Sequence, residues 1–184
     1  MNSINQKQSS LSIQVGPAGR AMAHPMEAEL VEFFNQHLSL ERIASAQYFA
    51  FSLWFEEREF KGFADYFNSE SIDEQKHARS FAKYLIARGQ SPVLGELPSP
   101  SLEWNSIEEL ISYSFQMEAD ITSSLHQLYS MSERTSDTRS NVFLDSVIEN
   151  QTESEDQFAY LLGKVKFSGD NKSALLLIDS ELRD

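Results

Sequence analysis

Five side chains suited to metal chemistry sit inside otherwise apolar helical stripes: Glu41, Glu74, His77, Glu118 and Gln151. Carboxylate oxygens and imidazole nitrogen, without sulfur, form the donor set of metals such as iron and manganese. Glu74 and His77 stand at i, i+3 and face the same way along a helix, so Glu74 can bridge two metals while His77 binds one. An ionised carboxylate without a partner costs several kcal/mol in an apolar core, so a cluster of them has to be neutralised. The basic residues of these segments (Arg42, Lys76, Arg79, Lys83, Arg88, Lys164) fall mostly off the stripes or near helix ends. A pair of divalent metals is the remaining source of positive charge.

Taken singly, each residue has a bland reading. A Glu in a helical stripe usually reaches water at the boundary, and a Glu-x-x-His pair is a weak motif. Spacing is what sets these residues apart. In a helical hairpin, two residues share a height when the turn falls midway between them. The midpoint of 41 and 74 is near 57, inside Glu56-Glu-Arg-Glu-Phe-Lys-Gly62, and that of 118 and 151 is near 134, inside Glu133-Arg-Thr-Ser-Asp137. The midpoint of 74 and 118 is 96, inside the Pro- and Gly-rich stretch from Gly89 to Pro100. Four helices thus place a polar core residue at one level. Tyr48, two turns after Glu41, puts on the same face a hydroxyl that needs a buried partner, for which a carboxylate is suited. His24, His37 and His126 show no such convergence and read as surface or boundary residues.

The helices that must carry these groups are legible as apolar stripes stepping by three or four residues. The first runs from Leu30 through Leu38, Glu41 and Tyr48 to Phe55. A second runs from Phe60 through Phe67, Glu74, His77 and Phe81 to Leu85, and a third from Trp104 through Ile111, Glu118 and Leu125 to Leu128, with Ser106 as N-cap. Leu144, Val147, Gln151, Glu155, Phe158, Leu162 and Val165 make the fourth, and Ser173 to Leu182 a short fifth. Helices of about 30 residues span near 45 Å. The roughly 15 residues from 89 to 104 can cross that length when extended at about 3.3 Å each. A plain up-and-down bundle would need only about two to eight. The expected fold class is all-α: a four-helix bundle with a long crossover between helices two and three, plus a short C-terminal helix. Residues 1–24, polar and without apolar periodicity, read as a flexible arm before a single domain over 25–184.

Composition excludes several classes of function. Lys+Arg 15 against Asp+Glu 28 gives a net charge of -13, which opposes binding to nucleic acid or an anionic membrane. With Cys 0, there are no disulfides, thiolate metal sites or cysteine nucleophiles. No apolar run approaches the roughly 20 residues of a membrane span, and the first residues lack the apolar stretch expected of a secretory signal. A cytoplasmic location is expected, while the acid-free segment before Glu27, with Lys7 and Arg20, leaves an organelle lumen open.

From about Met26 to the C-terminus the chain resembles the ferritin family. Glu41-Arg-Ile-Ala-Ser-Ala-Gln-Tyr48 is similar to its first-helix ligand and buried tyrosine, and Glu74-Gln-Lys-His77 to its bridging Glu-x-x-His. Glu118, in Gln-Met-Glu-Ala-Asp, matches the third-helix ligand, Gln151 the fourth-helix glutamine, and Ser173 to Leu182 the short helix around the shell's four-fold axis. The segment Glu70 to His77 is close to bacterioferritin, but Gln75 stands where that subfamily has its haem-ligating methionine, so no haem is expected. Gln151 and Ser154 replace a second Glu-x-x-His, which makes the site look like that of a non-haem ferritin. Of the mineral-nucleating acids on helix two, Asp73 persists beside Lys76 and Arg79. At the third-iron site of some bacterial ferritins, Asn150 and Ser154 replace carboxylates and leave Glu153.

The resemblance implies a homo-oligomeric shell of 24 subunits that oxidises Fe(II) at a di-iron ferroxidase centre, using O2 or H2O2, and stores ferric mineral. It implies that Glu41 and His77 hold one iron, Glu118 with nearby Gln151 the other, and Glu74 bridges, with Tyr48 hydrogen-bonded behind them. Asp145 is then expected at a three-fold pore and Glu70 as a transfer ligand. The competing reading is a non-storage di-iron peroxidase or oxidase of the rubrerythrin-like class, which normally takes electrons from a cysteine-ligated donor.

Overall fold

In a computed structural model describing residues 13–169 and 171–183, the chain forms α1 (Ala28–Glu56), α2 (Lys61–Ala87), α3 (Ile107–Arg134), α4 (Thr138–Ser168) and α5 (Lys172–Glu181). Two left-handed residues make the tight reversals, Glu59 (φ 64) between α1 and α2 and Ser136 (φ 56) between α3 and α4. These are the turns that the midpoints require. Capping follows the sequence. Ser106 accepts from Glu109 N–H at the start of α3, Asp137 from Ser140 N–H at α4, and Asn171 from Ser173 and Ala174 N–H at α5.

Helix directions follow from which residues meet. Phe55 stacks on Phe63 while Phe34 stacks on Tyr84, so α1 and α2 are antiparallel. Tyr66 meets Phe158 while Tyr84 meets Phe143, so α2 and α4 are antiparallel as well. Ser132 reaches Asn141 and Gln151 reaches Glu118, which makes α3 and α4 antiparallel. Helices α2 and α3 therefore run parallel, and their connection has to travel the length of the bundle. It does so along α1, pinned at intervals: Asn35 Oδ1 accepts from Val93 N–H at 2.8 Å, Arg42 donates to the Gly95 carbonyl at 3.1 Å, and Gln47 makes a pair of bonds to the Ser101 backbone.

The core is aromatic at both ends. Phe34, Phe81, Tyr84 and Phe143 cluster near one end, while Phe51, Phe55, Phe63, Phe67 and Phe158 pack towards the other. Glu41, Glu74 and Glu118 lie in the layer between. Helix α5 seals the second end: Asp179 Oδ1 accepts from Phe63 N–H at 3.0 Å, serving the first turn of α2, whose own N-cap Phe60 has no side-chain acceptor. This approach requires Gly62, because a Cβ there would lie 1.7 Å from the Asp179 carbonyl oxygen.

The expected arm of residues 1–24 is different in its described part. Gln14–Val15 pairs antiparallel with Ala21–Met22 in a small hairpin closed by Gly19 (φ 75), and it docks on the C-terminal end of α2. Gly16 lies so close to the Gly89 carbonyl that a Cβ would come within 1.7 Å of it. Two-residue strands give no periodicity to read, and the docking depends on glycines. Residues 1–12 of the expected arm lie outside the described residues.

At the opposite end from α5, Arg88 forms a buried bidentate pair with Asp137, at 2.8 and 2.6 Å, and donates to Tyr84 and Ser140. This ties the end of α2 to the start of α4. Replacing one member leaves the other buried and unpaired, at a cost of about 3 kcal/mol. Arg88→Met is therefore expected to lower the denaturation midpoint at unchanged m-value. An unchanged midpoint in urea melts would contradict this role.

Candidate metal centre

Four helices each send one polar side chain into the middle layer: Glu41 from α1, Glu74 from α2, Glu118 from α3 and Gln151 from α4, all buried. His77, one turn along α2 from Glu74, is partly exposed. Glu41, Glu74 and His77 each offer a ligand atom within 4.8 Å of the others. His77 Nδ1 is 3.0 Å from Glu74 Oε2 and 4.0 Å from Glu41 Oε2. That Glu41 oxygen is buried and has no hydrogen-bond partner. An orphaned carboxylate oxygen facing an imidazole across 4.0 Å suits a metal with oxygen and nitrogen ligands.

The Glu118 side of the layer is differently furnished. Tyr48, fully buried, donates its hydroxyl to Glu118 Oε1, and Gln151 donates its amide to Glu118 Oε2 at 2.9 Å. Both Glu118 oxygens are satisfied, whereas Glu41 keeps one free. A cavity of about 110 Å³ opens on Glu41, His77 and Gln151 between α2 and α4, with Ser80, Ser146 and Asn150 in its wall. Aromatic packing closes the layer along the bundle axis, so this cavity is its lateral opening.

Electrostatics bear out the cost of the arrangement. Burial pushes Glu41 up, and pushes Glu74 up to about 8 and Glu118 up to about 7. Glu118 adds to the shift of Glu41, Glu41 to that of Glu74 and Glu74 to that of Glu118, while the Glu74 side chain and His77 act to lower Glu41. His77 is also raised, to about 9, but chiefly through its hydrogen bond to Glu74, which favours its charged form. Among the described residues, no lysine or arginine pairs with these carboxylates.

One residue at the centre was missed by sequence reasoning. His37, expected at the surface or boundary, is fully buried, with Nε2 2.8 Å from Glu41 Oε1 and Nδ1 2.9 Å from Ser124 Oγ. Burial holds its pKa down to about 3, so the ring is neutral. Its i, i+4 spacing from Glu41 was the available signal. His24 and His126 are exposed. Of the peripheral candidates, Glu70 lies half-buried one turn before Glu74, pushed up to about 8 by burial and then by Glu118 and Glu74. Asp145 and Glu153 are exposed, and Asp145 is next to Tyr129.

A four-helix bundle with parallel second and third helices and a buried carboxylate–imidazole layer has the arrangement in which helical bundles can hold a metal between facing helices. In di-metal bundles of this kind, carboxylates and Glu-x-x-His pairs project inward from the four helices to a shared core site. The comparisons with known proteins are more specific. The ferritin-like domain family matches residues 31–168. A probable bacterial non-heme ferritin-like protein of Haemophilus influenzae is 29% identical over 157 residues, covering 85% of this chain and 95% of the relative. A bacterial non-heme ferritin of Escherichia coli is 27% identical with the same coverage. In the solved structures, an open pore ferritin from Archaeoglobus fulgidus superposes with a TM-score of 0.84 at 24% identity, over 86% of this chain and 98% of that one. The chain belongs to the ferritin-like family and is of the non-haem ferritin type.

The shifted groups set a sign for stability against pH. Glu74 and Glu118 keep their protons in the folded state to about 8 and 7, while unfolded carboxyls release theirs near 4.5. Stability from these groups therefore falls as pH rises through that interval. His77 contributes in the same direction between 6.5 and about 9. His37, at about 3, opposes them only below 6.5. Chelator-treated protein is expected to lose thermal stability between pH 6.5 and 7, a loss that saturating Zn(II) reduces. Calorimetry showing a flat or rising transition temperature in that interval would contradict it.

Proposed function

We propose that this chain is an iron-storage ferritin with ferroxidase activity: it binds two Fe(II) ions within one subunit, oxidises them with O2 or H2O2, and assembles as a hollow 24-subunit shell that keeps the ferric product. The observation that carries the reading is the cluster of buried Glu41 and Glu74 with partly exposed His77, in which one Glu41 oxygen is unpartnered, beside Glu118 in the same layer. Membership of the ferritin-like family, and relatives named as non-heme ferritins, support iron as the metal. Iron here is substrate. We assign the first ion to Glu41 and His77, the second to Glu118 with Gln151 nearby, and the bridge to Glu74. The carboxylates favour the ferric state, which helps each Fe(II) give up one electron. Two electrons and two protons reduce O2 to H2O2, or reduce H2O2 to two waters.

The protein's own groups set the order of loading. Glu41 already offers a free oxygen, and His77 has only to lose its proton. Each Glu118 oxygen already accepts a hydrogen bond, from Tyr48 or Gln151, which draws off electron density and makes it a weaker ligand. The first Fe(II) therefore binds more tightly than the second. Glu70 is assigned as a transfer ligand next to the layer, Asp145 as part of an iron-conducting pore in the shell, and Glu153 as what remains of a third-iron site. We assign the protein to the cytoplasm.

Anaerobic Fe(II) titration followed by O2 tests the assignment. Wild-type protein is expected to show a saturable phase of two irons per subunit. Glu118→Ala and His77→Ala are expected to slow initial oxidation by at least about 100-fold, with shell assembly retained by size-exclusion mass. Wild-type initial rates in both variants would defeat the ligand assignment, and a mass near that of a dimer would favour the rubrerythrin-like alternative. Asp145→Ala is expected to slow uptake while leaving the bound-metal spectrum unchanged; equal uptake rates would remove the pore role.

A further inference from the structure

We propose that His37 is a positioning residue for Glu41: it holds Glu41 Oε1 by a hydrogen bond so that Oε2 alone is presented to metal beside His77. The proposal deepens the iron-binding reading and rests on it. Three helices immobilise the imidazole. Its Nε2 is 2.8 Å from Glu41 Oε1 on α1, its Nδ1 is 2.9 Å from Ser124 Oγ on α3, and its ring lies against Phe81 of α2 with centroids 4.4 Å apart.

The hydrogen-bond chemistry admits one arrangement when Glu41 is ionised, the form that ligates metal. The carboxylate can only accept, so Nε2 carries the hydrogen, Nδ1 accepts, and the Ser124 hydroxyl donates. Both ring nitrogens are then committed, which leaves His37 no lone pair for metal. A fully buried, clamped ring beside a ligand acts on the ligand's direction. Glu41 shows the consequence: one oxygen bound, the other buried and partnerless 4.0 Å from His77 Nδ1. On the Glu118 side the donors from Tyr48 and Gln151 occupy both oxygens, so neither is held free in this way.

The test is anaerobic Co(II) titration of the assembled full-length protein, read by visible absorption and without turnover. Compared with wild type, His37→Leu keeps the apolar volume but removes the donor. It is expected to weaken the first Co(II) equivalent by about 10-fold and to alter its absorption band, with assembly retained by size-exclusion mass. His37→Gln restores an N–H donor and is expected to recover most of the affinity. Should His37→Leu prove unstable, Ser124→Ala keeps the ring but frees its rotation and is expected to weaken the first equivalent in the same direction. Wild-type affinity and spectrum in His37→Leu, or in Ser124→Ala where that variant stands in, would overturn the role. A His37→Gln protein as weak as His37→Leu would also overturn it, because the ring's shape and not its donor would then be what matters. Wild-type protein that binds no Co(II) would remove the metal centre itself, and this role with it; normal wild-type binding with unaffected variants removes the role alone.

Discussion

Three carboxylates share one layer of the core, and the rest of the molecule is organised around that expense. Each is pushed towards its protonated form by burial, and one neighbouring carboxylate pushes each further: Glu118 at Glu41, Glu41 at Glu74 and Glu74 at Glu118. A core chosen for stability alone would carry leucines here. The protein instead packs phenylalanine and tyrosine on both sides of the layer, which excludes water along the bundle axis and raises the energy of any uncompensated charge. The gain from a divalent cation grows for the same reason, since attraction between opposite charges strengthens where solvent is excluded.

The two sides of the layer handle this differently. Around Glu41 and Glu74 the compensating groups are imidazoles, one neutral at His37 and one proton-holding at His77. Around Glu118 they are neutral donors, the Tyr48 hydroxyl and the Gln151 amide. Under the proposed function an incoming divalent ion replaces the His77 proton with little rearrangement, because the candidate ligand atoms already lie within 4.8 Å of one another. At Glu118 it meets oxygens that each already accept a hydrogen bond. Under the proposed function, unequal affinity for the two ions would follow from which donors the protein uses to satisfy its acids.

Much of this was legible because helix geometry converts sequence separation into height. The midpoints of 41 and 74 and of 118 and 151 fall at the reversals made around Glu59 and Ser136, so four polar residues on four stripes could be placed at one level without coordinates. The crossover was legible from the length and Pro/Gly content of residues 89–104. His37 was not, because a single imidazole at i, i+4 from an acid is as common on a helix surface as in a core; its burial depends on Ser124 and Phe81, which arrive from other helices. The hairpin at residues 14–22 was hidden for a similar reason. Its strands are too short for a pattern, and its seat on Gly89 is a tertiary contact. Asp145 and Glu153 could be located on α4, but both are exposed on a single chain, where nothing distinguishes a functional acid from a solvated one.

The fourth helix bears on what happens after oxidation under the proposed function. It contributes Gln151 in place of a carboxylate, with Asn150 and Ser146 in the wall of the adjacent cavity. Three carboxylates nearly balance two Fe(II) ions, carrying three negative charges against four positive, but fall well short of the six carried by two Fe(III). Oxidation therefore leaves a surplus of positive charge in a layer that burial has made intolerant of net charge. Hydroxide or oxide from water can reduce that surplus, and the opening between α2 and α4 gives it access. A fourth carboxylate would hold the ferric pair more firmly. Its replacement by an amide favours departure of the product, which suits a centre whose iron is passed onward and not kept.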